Sequence, residues 1–159
     1  MATVASEHHL SEKSLNWLQE SIQINIDSRD GFKEAAEQLK DKHSTIESLF
    51  HRLAGERAMQ ASELQAMVAS HAKEPEHSGS VSAAAHRVWT DLRSALGGGE
   101  HAVLAEAERG EDRIKGKYEQ AIRELAGCGC IPTLHRQYAA VKVSHDTVRD
   151  LRDRCKKPK

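Results

Sequence analysis

Four polar side chains stand out because each falls in the middle of an otherwise apolar helical stripe: Asn25, Glu56, Glu111 and His145. Two carboxylates, an imidazole and an amide can surround a divalent cation, since oxygen and imidazole nitrogen suit iron, manganese and zinc alike. The same groups can instead bond to one another. A lone buried carboxylate is costly or takes up a proton, whereas four polar groups at one depth can satisfy each other without a metal. Two readings therefore stand open. One is a metal site on Glu56, Glu111 and His145; the other is a metal-free polar network in the core. No phosphate-binding glycine loop, dinucleotide fingerprint, nucleophile elbow or catalytic triad is present, and no enzyme activity is expected.

These residues must be held by helices. Ser11 can cap a first helix running to about Lys40, and Asp41, Lys42 and His43 make a tight connection. Ser44-Thr45-Ile46-Glu47 reads as a capping box that opens a second helix to about His71. Lys73 to Gly79 is a loop by composition. A shorter helix from about Val81 to Leu96 stops at Gly97-Gly98-Gly99. A third long helix starts near Glu100 and ends before Gly127-Cys128-Gly129-Cys130; Pro132 then suits the first turn of a fourth, which runs towards Asp153.

Projected at 100° per residue, the first stripe is Leu15, Leu18, Ile22, Phe32 and Ala36 around Asn25. The second is Ile46, Leu49, Leu53, Leu64 and Met67, with Glu56 inside it and Gln60 nearby. Leu104, Ala107, Ile114, Tyr118, Ile122 and Leu125 flank Glu111, and Leu134, Tyr138, Val141 and Val148 flank His145. No segment alternates with period two. The expected fold is all-α: a ferritin-like four-helix bundle, up-down-down-up, with a short extra helix in the long crossover between its second and third long helices. A plain up-and-down bundle is the rival. Residues 1–10 are expected to be a flexible N-terminal segment, 11–155 the bundle, and 156–159 a basic tail.

Composition narrows the partners. The 23 basic and 24 acidic residues nearly cancel, so no nucleic-acid face is expected. There is no apolar run of membrane-spanning length and no signal-peptide pattern near the start. Three cysteines, an odd number, argue against a disulfide framework and suit a cytoplasmic location.

The spacing of the central residues is similar to that of a known group. Asn25 and Phe32 lie seven apart, as do Glu111 and Tyr118, and the second and fourth helices carry Glu56-Arg57-Ala58-Met59 and Lys142-Val143-Ser144-His145 at matching places. Rubrerythrin-like and other ferritin-like proteins carry a Glu with an aromatic seven residues on, and Glu-x-x-His on the alternate helices. More closely, the chain resembles a bacterial four-helix-bundle family of unknown function within that group. The resemblance rests on Gly31 to Glu37, on Glu56-Arg57 with Glu63-Leu64, and on Ser78-Gly79-Ser80 leading to His86-Arg87-Val88-Trp89. It also draws on Glu106 to Asp112 and on His145-Asp146, and covers about residues 12–153.

The resemblance implies iron or another divalent metal on Glu56, Glu111 and His145, and a homodimer as the assembly. Asn25, Met59 and Lys142 depart from the ligand pattern, so no metal is an equal expectation. In that alternative they form a core polar network, with Lys142 turned inward as a substitute cation and Asn25 beside it. The protein is then a structural or stress-related interaction module. If Lys142 instead reaches for solvent, the site is open to metal. Glu37 and Glu108 are weaker candidates that can add a carboxylate. His86 and Trp89 are expected to pack the crossover helix. Cys128-x-Cys130, with His135 downstream and Cys155 nearby, lacks the second ligand pair of a zinc site.

Overall fold

The computed structural model describes residues 10–71, 73–80 and 83–155. The expected N-terminal segment up to His9, including His8, and the tail Lys156 to Lys159 lie outside the described residues. Five helices follow in order: α1 (Glu12–Gln38), α2 (Ser44–Ala69), α3 (Ala83–Ala95), α4 (Glu100–Glu124) and α5 (Ile131–Arg154). Among the described residues there is no strand, and no helix is long and apolar enough to cross a membrane.

Local chemistry sets most of these limits. The Ser11 hydroxyl accepts from the Ser14 backbone N–H at 3.1 Å and caps α1. Asp41 turns the chain into α2 with φ +64°, a left-handed conformation that Asp tolerates. The expected capping box does not form as read, because the N-cap of α2 is His43 and Ser44 is already helical. Pro132 lies in the first turn of α5, where a missing N–H costs nothing. Gly127, at φ +84°, turns the chain between α4 and α5. In that turn Cys128 and Cys130 are joined by a disulfide, while Cys155 is free. The expectation of no disulfide is corrected, and the cysteines no longer point to a reducing compartment.

Ion pairs fix the helix directions. Lys13 meets Glu124 at 3.1 Å, and further along Glu20 meets Lys117, so α1 and α4 are antiparallel. Glu56 with Ser144 and Glu63 with Arg136 set α2 against α5 in the same way. Short connections join α1 to α2 and α4 to α5. The order is therefore up, down, down, up, and residues 70–99 carry the crossover. Gln19 holds that crossover along α1, donating to the Glu74 carbonyl at 2.7 Å and accepting from the Glu76 N–H at 2.8 Å.

Two apolar cores lie one beyond the other along the four long helices. The first gathers Leu15, Leu18, Ile22, Leu64, Val68, Tyr118 and Leu134; the second gathers Phe32, Phe50, Leu53, Leu104, Ala107 and Val148. On each long helix the residues of the first core are separated from those of the second by a buried polar position. Trp89 of α3 caps the second core, with its ring 5.3 Å from that of Phe32. Its approach requires Gly31, where an added Cβ would sit inside the indole. His86, expected to pack, is exposed on the outer side of α3.

The glycines give a direct test of that docking. Gly31→Ala gains roughly 1 kcal/mol of helix propensity but meets overpacking of about 1–3 kcal/mol against Trp89, so its urea midpoint should fall. Gly55→Ala meets nothing within 4 Å and should gain about 0.5–1 kcal/mol. A red-shifted Trp89 emission in Gly31→Leu, read in a Trp17→Phe background, reports α3 undocking.

Candidate functional site

Arg57, Gln60, Glu111, Ser144 and His145 lie between the two cores, and Asn25 and Gln137 lie in the adjoining part of the first; all are buried. The centre of this layer is an ion pair. Arg57 Nη2 donates to Glu111 Oε2 at 2.7 Å, and both side chains are 0% exposed. Arg57 Nη1 donates to Gln60 Oε1 at 3.1 Å, one helical turn on. Burial pushes the Glu111 carboxyl above its ordinary value, while the Arg57 guanidinium pulls it back.

A chain of neutral bonds runs from this pair across the layer. Asn25 Nδ2 donates to the Ser21 carbonyl at 2.9 Å and to the Tyr118 hydroxyl at 2.8 Å. Tyr118 donates to Gln137 Oε1 at 2.7 Å, and Gln137 Nε2 donates to the Gln60 carbonyl and to Glu63 Oε2. Burial raises the Tyr118 hydroxyl far above its usual range, so it stays protonated and donating. The spacing of seven thus puts Glu111 and Tyr118 on one face of α4, two turns apart, with Glu111 between the cores and Tyr118 in the first.

The other sequence candidates are placed as follows. Glu56 is half-buried, and its Oε2 accepts from the Ser144 hydroxyl at 2.9 Å. His145 Nε2 lies 2.8 Å from Asp112 Oδ1, and Nδ1 lies 3.1 Å from Asp146 Oδ1. Glu56 and His145 both lie near Glu111, but each is bonded elsewhere. Glu108 is half-buried between Arg152 and His145. Glu37 is exposed. Two expected members of the core network are corrected. Met59 is 69% exposed, and Lys142 is also exposed, with its ammonium 5.3 Å from the Tyr138 ring centroid. Both lie off the buried arc of their helices, and an ammonium that can reach solvent stays hydrated.

Arg57 is the residue that sequence reasoning passed over. The stripe of α2 runs Leu53, Arg57, Gln60, Leu64, steps of four, three and four that define one helical face. The periodicity pointed to position 57. A fully buried arginine is rare, and the sequence reading centres on Glu56, one residue earlier.

The arrangement fits a di-iron centre poorly. Two metal ions need several carboxylates to balance their charge. Here Glu111 is the one fully buried carboxylate among the described residues, and Arg57 already neutralises it. Glu111 Oε1, Arg57 Nε and Asn25 Oδ1 have no hydrogen-bond partner among the described residues, but a divalent ion beside Oε1 would meet the guanidinium.

No curated protein matches the chain. A family match spans residues 13–124, which takes in α1 from its second residue through the end of α4 and leaves α5, with His145, outside it. With about two thirds of its length covered, the chain belongs to the family described as "Domain of unknown function (DUF2383)".

Proposed function

We propose that this protein is a ferritin-like bundle whose central metal position has been taken by an internal cation, Arg57, and that it acts as a structural or interaction module. The helix order and the long crossover support the ferritin-like reading. The single observation that carries the functional reading is the Arg57–Glu111 pair, fully buried at 2.7 Å. A guanidinium cannot lose its proton at any accessible pH, so a cation is permanently fixed beside the carboxylate. Redox chemistry at the bundle centre would require it to leave. The sequence alternative of a substitute cation is retained here with Arg57 in the role first given to Lys142. Asn25 takes part as the donor to Tyr118.

This reading predicts that the core needs its own ion pair and no iron. Arg57→Met should cost about 3–5 kcal/mol, because Glu111 is left charged and unpaired, and Arg57→Met/Glu111→Met should recover most of that loss. The single variant's deficit has a pH signature. Without Arg57, Glu111 loses its main lowering partner, and burial, the largest influence on it, raises its pKa further above the unfolded value. Such a group binds more protons in the folded state, so stability is lost as pH rises through the window. The deficit should be smallest below the ordinary carboxyl value of 4.5 and grow towards neutral pH. Urea unfolding at several pH values measures this. A wild-type midpoint that rises with ferrous iron, and a double variant no more stable than the single, would sink the proposal. Lys142→Glu, which recreates a Glu-x-x-His pair on the exposed side of α5, should change stability by less than about 0.5 kcal/mol.

A further inference from the structure

A second cluster lies outside the core, where α4 meets α5. Glu108 and Asp112 are one turn apart on α4, and His145 of α5 lies against both. His145 Nε2 is 2.8 Å from Asp112 Oδ1 and 3.8 Å from Glu108 Oε1, and the three ligand atoms all lie within 4.8 Å of one another. Three ligands about 2.1 Å from one tetrahedral ion stand roughly 3.4 Å apart. The two observed separations bracket that spacing, so small side-chain adjustments would seat an ion.

The partners around the cluster select its chemistry. Both ring nitrogens face carboxylate oxygens, Nδ1 towards Asp146 at 3.1 Å and Nε2 towards Asp112 at 2.8 Å; an ion bound at Nε2 would take the place of the proton shared with Asp112, while Nδ1–H stays with Asp146. A carboxylate behind a ligating histidine fixes the ring and raises its basicity. Glu108 Oε2 is held by Arg152, which leaves Oε1 facing the imidazole. Three carboxylates converge there with three basic side chains, since Arg149 pairs with Asp146 at 3.0 Å and Lys115 acts on Asp146 as well. An ion seated between Nε2 and the two carboxylates would replace the proton shared with Asp112 as their positive partner.

We propose that Glu108, Asp112 and His145 form a peripheral site for a divalent first-row transition ion, with Asp146 as the residue that orients His145. One imidazole and two carboxylates suit zinc or manganese. Glu108 and His145 are nearly covered, whereas the Asp112 side chain is 59% exposed. The ion therefore enters over Asp112 and keeps water on its outer side, as three-ligand sites do. This site uses neither Arg57 nor Glu111 and does not rest on the core reading.

The test uses the full chain carrying His8→Ala and His9→Ala, stripped with chelator and titrated with zinc chloride by calorimetry and with cobalt chloride by visible absorption. One ion per chain is expected. Asp112→Asn and His145→Gln should each weaken zinc binding at least tenfold, and Asp146→Asn about tenfold, while Glu37→Gln leaves it unchanged. Asp112 is exposed, so its variant keeps the fold if His145→Gln does not. Absence of stoichiometric binding, or equal affinity in Asp112→Asn and wild type, would overturn the site and leave the core reading intact. Binding lost in Glu56→Gln but kept in Asp112→Asn would put the ion in the core and overturn both.

Discussion

A guanidinium held away from water dictates the middle of this fold. Arg57 cannot discharge itself, and an unpaired ion in the interior costs several kcal/mol even after relaxation. Glu111 must stand within hydrogen-bond reach, which fixes how α2 faces α4 across the interior. Gln60 takes a second guanidinium N–H, and its backbone carbonyl accepts from Gln137. The pair is thereby tied through Gln137 and Tyr118 to Asn25 on α1. Each of the four long helices contributes to one connected set of bonds. Shifting any of them by a turn would leave a buried donor or acceptor unmet.

Such a layer does little for net stability, since apolar residues of similar volume often serve as well or better. Its effect is on specificity. The two apolar cores on either side consist largely of interchangeable aliphatic side chains, and volume alone would accept more than one register. A charge pair with directional partners favours the arrangement in which Arg57, Glu111 and Gln60 meet. A metal centre in a helical bundle imposes the same condition through coordination geometry. Arg57 and Glu111 impose it from within the chain.

Much of this organisation is legible in the sequence. Glycine and proline punctuation, with the 3.6-residue period, places every helix to within a few residues, because those signals are local. The depth of the polar layer is legible too: Asn25, Glu111 and His145 lie centrally in their stripes and are buried together. Which polar residue of α2 faces inward is a different kind of question. Glu56 and Arg57 differ by 100° on the helix, and hydrophobicity scales reject both from a core. Only the carboxylate waiting on α4 makes Arg57 acceptable inside, and that is a pairing between residues 54 positions apart. Met59 and Lys142 differ for a related reason: a ligand pattern shared with other bundles assigns them inward, whereas the buried arcs of α2 and α5 leave both exposed.

His145 illustrates how one residue's position follows from its neighbours' choices. With Glu111 engaged by Arg57, the interior offers the imidazole no free anion. Asp112 and Glu108 present two on the outer side of α4, and Asp146 holds the far nitrogen. The ring remains mostly covered while its ligating edge turns to the α4–α5 surface. The internal cation that closes the bundle centre thus leaves a histidine and carboxylates together at its margin. The acidic side chains that meet this histidine stand on the α4 side that water can reach, with Asp112 59% exposed.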